Sequence, residues 1–150
     1  MPPAFLPDTS CMIAAVCSWH EHHEPAANEI ERRLARREKM IVAAPALVEA
    51  YAVLTRLPPP HRISPETALT LLENNFMKSS TVIALNAKSY EILLQLAPKN
   101  GVAGGRIYDA VIGTCAEQGE ASTVLTFNAG DFTALGKDFA VVIPGSVSAG

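Results

Sequence analysis

Four carboxylates stand in unusually apolar company. Asp8 is the only charged side chain in residues 1–17, and Glu49 the only one between Lys39 and Arg56. Asp109 is the only one in Ile107-Tyr-Asp-Ala-Val-Ile-Gly-Thr-Cys-Ala116, and Asp131 closes Leu125-Thr-Phe-Asn-Ala-Gly-Asp131. A carboxylate among apolar residues loses hydration, so it must be paired, hydrogen-bonded, protonated or bound to a metal. These segments carry no matching set of lone basic residues. If the four acids converge they repel one another, and a divalent cation relieves that repulsion. Oxygen donors of this kind suit Mg²⁺ or Mn²⁺. Each acid also has a plainer reading. Asp8 can cap the helix that follows it. Glu49 can pair with a distant arginine such as Arg106. Asp109 can favour a helix macrodipole from the first turn, and Asp131 can be a turn residue after Gly130.

Other polar groupings make weaker claims. His20-Glu21-His22-His23 does not form H-E-x-x-H and reads as a solvated break between helices. Gly101-x-x-Gly104-Gly105 lacks the Gly-Lys-Ser/Thr of a phosphate-binding loop and reads as a flexible connection. Arg32, Arg33, Arg36, Arg37 and Lys39 form a basic stripe that could meet RNA phosphates. Glu29, Glu31 and Glu38 lie at helical spacing to them, so a solvated, internally paired face is the expectation. Arg106, near Asp109, is the better single candidate for a phosphate contact. Leu47, Tyr51 and Leu54 have the spacing of a core-facing helix stripe.

The elements that must position the acids follow from periodicity and punctuation. Ala4–Pro7 reads as a buried strand, with Pro7 awkward because it removes a ladder donor. A helix is expected from Ser10 to Trp19 and another from Pro25 to about Arg37. Met40–Ala44 is a strand, Pro45 opens a helix to about Arg56, and Leu57-Pro58-Pro59-Pro60 ends it. Ser64-Pro65-Glu66 starts a helix to about Asn75. Thr81–Leu85 is a strand, and Asn86 caps a helix to about Ala97. Residues 106–118 form a helix closed by Gly119. Thr123–Thr126 is a strand, 129–136 a helical turn and Phe139–Ile143 a last strand. This β-α-α-β-α-α-β-α-α-β-α-β order predicts an α/β fold with three layers, a mostly parallel sheet of about five strands and helices on both faces. The domain is expected over 1–144, with a frayed tail at 145–150. Sites in such sheets lie beyond the carboxyl ends of the strands, where Asp8 and Asp131 are expected.

Composition narrows the class. A 150-residue chain that is 49% apolar can bury one core. A net charge of −3 argues against a non-specific nucleic-acid coat but not against an enzyme with an acidic site. Cys11, Cys17 and Cys115 are odd in number and lack C-x-x-C, which suits reduced thiols in a cytosol. The N-terminus has no basic start and Asp8 interrupts its apolar stretch, so no secretory signal is expected. No apolar run reaches the roughly 18 residues of a membrane span.

Phe5-Leu-Pro-Asp-Thr-Ser10, Pro45-Ala-Leu-Val-Glu-Ala-Tyr51, Gly104-Gly-Arg-Ile-Tyr-Asp-Ala-Val-Ile112 and Leu125-Thr-Phe-Asn-Ala-Gly-Asp-Phe132 occur in this order across nearly the whole chain. Together they resemble the PIN-domain nucleases, and among them the VapC toxins of toxin–antitoxin pairs. The resemblance implies a ribonuclease that hydrolyses RNA phosphodiesters with Mg²⁺ or Mn²⁺. It makes Asp8, Glu49 and Asp109 the hallmark acids and gives Asp131 or Asn128 the variable fourth position. It places Thr9, Ser10 and Thr126 near the phosphate or behind the acids. It also implies a homodimer restrained by a small VapB-like antitoxin. Two other readings remain: a non-catalytic PIN-like module that binds RNA or protein, and a phosphoacceptor domain, for which no lysine clearly fills the required role.

Overall fold

A computed structural model describes residues 3–146. Five strands, β1 (Ala4–Pro7), β2 (Lys39–Ala43), β3 (Thr81–Ile83), β4 (Thr123–Leu125) and β5 (Ala140–Val142), form a sheet in the order β3-β2-β1-β4-β5. Every pairing is parallel. The described helices are α1 (Thr9–Val16), α2 (His23–Ala35), α3 (Ala44–Arg56), α4 (Pro65–Leu72), α5 (Ala87–Leu96), α6 (Arg106–Gln118) and α7 (Ala129–Thr133). All residues of β1 and β4 are buried, so both faces of the sheet centre are covered, as continuous apolar parallel strands require. Phe5, Leu6, Ile41, Val42, Val124 and Leu125 anchor the core.

The chain lays down β1, β2 and β3 outward in one direction, then returns to place β4 on the other side of β1. That reversal makes a crevice at the carboxyl ends of β1 and β4. Pro7 fits this central strand for a local reason. The Asp8 N–H donates to the Leu125 carbonyl at 2.9 Å, toward β4. Donors alternate along a strand, so the Pro7 nitrogen faces β2, where the register is already past its last pair, Phe5 with Met40. The missing donor therefore costs no ladder bond.

Several boundaries differ from expectation. The first helix begins at Thr9 and stops at Val16, because Cys17 takes an extended backbone. The second begins at His23 rather than Pro25. Pro25 still occupies the first turn, where no backbone donor is needed. The helix expected to reach Asn75 leaves α geometry at Leu72 and continues as a π turn over Glu73–Met77. β3 and α7 are shorter than expected. Gly119 does end α6, but the left-handed residue is Glu120 (φ 58°). Gly119 instead packs close to β2: a Cβ there would lie 2.8 Å from Ile41 Cδ1, so that side chain would have to shift. Tyr51 is exposed rather than core, since α3 buries Ala46, Ala50 and Leu54.

The expected pairing of the basic stripe holds for Arg32, Arg33 and Arg36, but Glu31, Arg37 and Lys39 take no part in it among the described residues, and Glu29 is buried rather than solvated. Arg32 and Arg33 both reach the buried Glu29, and Arg33 and Arg36 reach Glu38. Cys11, Cys17 and Cys115 are free and buried. No described helix is long and apolar enough to cross a membrane. Of the tail expected at 145–150, residues 147–150 lie outside the described residues.

Candidate active site

Asp8 follows directly from β1 and sits 2% exposed at the crevice. Its Oδ1 accepts from the Cys11 N–H at 2.9 Å, which caps α1, and from Ser10 Oγ at 2.6 Å. Its Oδ2 accepts from Thr126 Oγ1 at 2.6 Å. Thr126 Oγ1 in turn accepts from the Asn128 N–H at 2.8 Å, and Ser10 Oγ from the Phe127 N–H at 3.1 Å. Two hydroxyls thus tie the end of β1 to the loop between β4 and α7. Burial pushes the Asp8 carboxyl above its ordinary value, against the lowering effect of the Ser10, Thr126 and Cys11 bonds. The cap reading of Asp8 holds, and the same side chain also borders the cavity. Three of a carboxylate's roughly four acceptor positions are used, which leaves capacity for a further ligand.

Asp8, Glu49 and Asp109 line one cavity of about 490 Å³ with Thr9, Ser10 and Asn128. Glu49 comes from the α3 face next to the buried Ala50, and Asp109 from the first turn of α6. Asp131, in the first turn of α7, stands beside Asp109. The Asp109 carboxyl is pushed up to about 6, first by burial and then by Asp131, Asp8 and Glu49. Asp109 therefore stands near enough to the other three acids to feel their charge. Arg106 is the cation beside them. Its Nε lies 4.0 Å from Asp131 Oδ1, an ion pair without a hydrogen bond, and that Nε has no other partner. Arg106 thus meets Asp131 and not Glu49, the pairing weighed from sequence.

The donor set suits a hard divalent cation. The acids outnumber the nearby positive charge, Asp8 keeps a free acceptor position, and the buried Thr9 Oγ1 has no hydrogen-bond partner. Among the described residues, no three His, Cys, Asp or Glu side chains stand in an arrangement that would hold an ion as it is.

A PIN-domain family model matches residues 5–137. This chain belongs to the PIN-domain family. Within that family it falls among the VapC-type ribonucleases of toxin–antitoxin systems. It is 41% identical over 111 residues to Ribonuclease VapC40 of Mycobacterium tuberculosis, covering 74% of this chain and 77% of that one. The fold is similar to the crystal structure of M. tuberculosis VapC20, a toxin that cleaves the sarcin–ricin loop. The TM-score is 0.68 at 18% identity, over 88% of this chain and 95% of that one. It is also similar to VapBC2 of Rickettsia felis, solved on a DNA fragment from the promoter of that pair. There the TM-score is 0.67 at 19% identity, over 93% and 98% of the two chains.

This PIN-domain chain also brings to the cavity residues that sequence reasoning set aside. His20, Glu21 and His22 line it with Phe127. Helix α1 stops early, and residues 17–22 fold back as turns. The His22 N–H donates to His20 Nδ1 at 3.0 Å, and His23 Nδ1 lies 2.9 Å from the Ala14 carbonyl, which fixes the loop. The histidines are half-buried rather than solvated. Their periodicity carries no such signal. Only the short reach of the loop between α1 and α2 would have hinted at it.

Proposed function

We propose that this chain is a Mg²⁺- or Mn²⁺-dependent endoribonuclease acting as the toxin of a toxin–antitoxin pair. The observation that carries the reading is geometric: Asp8, Glu49 and Asp109, from three separate elements, line one cavity, and the Asp109 carboxyl there is pushed up to about 6, first by burial and then by the neighbouring acids. A cationic ligand would offset the cost of holding such a cluster. Asp8, Glu49 and Asp109 would hold the cation, with Asp131 or Asn128 completing the set. When bound, it would activate a water and stabilise charge on the phosphodiester oxygens.

The chain's own groups supply the rest. Asp8 is immobilised by Ser10, Thr126 and the Cys11 N–H, so its free acceptor position has a fixed direction. Thr9 offers a buried hydroxyl without a partner, suited to a phosphate oxygen or a bound water. Arg106 can leave Asp131 for a phosphate, because their contact lacks a hydrogen bond. One of the carboxylates serves as general base.

A VapB-like antitoxin is the expected restraining partner, supported by the likeness to a VapBC pair. The three free buried thiols suit a cytosolic protein. A homodimer is supported by an apolar groove of about 770 Å³ on the far side of Glu49, where Val48 and Tyr108 are exposed. The test of the enzyme is an RNA cleavage assay of the wild type, Asp8→Asn and Asp109→Asn, each with and without EDTA. Cleavage should fall by a factor of about 100 or more in both variants and vanish with chelator. Unchanged cleavage in either variant, or indifference to EDTA, overturns the reading.

A further inference from the structure

An aromatic run leads into the acidic cavity. His61, in the connection between α3 and α4, stacks on Trp19 with ring centroids 4.0 Å apart and planes at 22°. Trp19 leads to His20, and His20 to His22, each at 5.7 Å and tilted by about 40°. His22 then stacks on Phe127 at 4.4 Å and 14°. Three separate loops therefore contribute to one row of rings. The row has a wet side: Trp19 is 45% exposed and the His22 side chain 44%. Its inner end belongs to the catalytic cavity, because His20, His22 and Phe127 line the same space as Asp8, Glu49 and Asp109.

We propose that this row is a nucleobase-stacking subsite, which holds unpaired bases of the RNA next to the phosphodiester presented to the carboxylates. The inference rests on the ribonuclease reading of the adjoining site. Three observations favour bases over a protein segment. His61 covers one side of Trp19 and Phe127 one side of His22, yet both rings stay nearly half exposed, which leaves each an open flat surface for a base. Imidazole edges add hydrogen-bond donors and acceptors that a base edge can use. The acids of the cavity repel RNA phosphates wherever a cation or Arg106 does not offset them, so stacking adds affinity that does not depend on charge. No Lys or Arg lines this cavity. Stacking supplies affinity without regard to sequence, and the imidazole edges then sort the bases.

Trp19 is the sole tryptophan of the chain, so its fluorescence reports this subsite alone. The wild type, with Ca²⁺ in place of Mg²⁺, is titrated with a single-stranded oligoribonucleotide, with the same strand annealed to its complement, and with an abasic sugar–phosphate oligomer. Cleavage of the single strand is then measured with Mg²⁺ for wild type, Trp19→Ala, Trp19→Phe and His22→Ala. The expected result is saturable quenching of Trp19 by the single strand alone. KM should rise on the order of tenfold in Trp19→Ala and His22→Ala, with kcat little changed and Trp19→Phe close to wild type. Circular dichroism of each variant confirms folding, and Trp19 quenching in the wild type needs no variant at all. RNA cleavage with silent Trp19 emission and unaltered KM in Trp19→Ala overturns the subsite while leaving the ribonuclease intact. Absence of cleavage by the wild type would instead count against the enzyme reading. Quenching by the abasic oligomer equal to that by RNA, or a response only to a co-purified antitoxin, also overturns the subsite.

Discussion

Asp109 shows how function and stability pull apart at one side chain. Its carboxyl ordinarily titrates near 3.8 and is pushed to about 6 in the fold, so folding disfavours its charged form. Below about pH 4 the group is protonated in both folded and unfolded chains and carries no penalty. As pH rises through 6 the folded protein must carry the charge, and that share of stability is lost. Asp109→Asn removes the penalty. The metal-free variant should therefore melt on the order of a few degrees above wild type at pH 7, with the gain vanishing below pH 4. The shift is modest because Asp109 is only partly buried and solvent screens part of the repulsion. Adding Mn²⁺ should raise the melting temperature of wild type far more than that of the variant. Calorimetry across pH, with and without Mn²⁺, checks both halves. Equal melting temperatures at pH 7 would mean that the acids do not strain one another. At this scale the sequence was highly legible: a lone acid in an apolar stretch must be accounted for, and all four of these acids arrive at one edge of the sheet. The partner of Arg106 was not legible. Choosing Asp131 over Glu49 depends on how α6 and α7 lie together, which no local pattern encodes.

The elements place those acids through a few hydroxyls rather than through the strands alone. Thr126 is fully buried and joins two structures that are 118 residues apart in sequence: it donates to Asp8 Oδ2 and accepts from the Asn128 N–H. Replacing it by valine keeps the shape but removes both bonds, leaving a buried carboxylate oxygen and a backbone donor underserved. Thr126→Val should lose roughly 1–3 kcal/mol in urea denaturation. Cleavage should fall as well, because Asp8 and the β4–α7 loop lose their common tether. A variant as stable and active as wild type would show that the Ser10 tether suffices. The element order and the strand assignments could be derived from apolar runs and proline or asparagine punctuation, since parallel strands buried on both faces leave a strong pattern. Helix ends were less accessible. Cys17 breaks α1 by taking an extended backbone, though nothing in Cys-Ser-Trp-His forbids another turn. That break is what carries the histidine segment to the cavity. Residues judged by composition to be solvated thus line the site.

For the whole molecule, the sheet order puts the site at the crevice between β1 and β4 and leaves a second surface beside it. Val48 is 72% exposed and Tyr108 62%, and both border the groove that shares Glu49 with the acidic cavity. Helix α5 has no buried residue, and Tyr90 extends the same groove. A contiguous apolar surface of this kind is unfavourable in water unless another molecule covers it. A second copy would do so with self-complementary contacts, as two-fold dimers do. It would also bring two acidic cavities near one another along a shared groove. Sedimentation should therefore give about twice the 16.0 kDa chain mass at micromolar concentration. Val48→Asp should shift the species toward one chain, because an exposed residue tolerates the charge in the monomer but would bury it unpaired in a dimer. Val48 borders the groove and is absent from the lining of the cavity that Asp8, Glu49 and Asp109 share, so single-chain Val48→Asp should still bind Mn²⁺. A wild type that sediments as one chain would assign the groove to the antitoxin instead. Titration with that partner would then be the measurement that protects Val48 and Tyr108 from solvent.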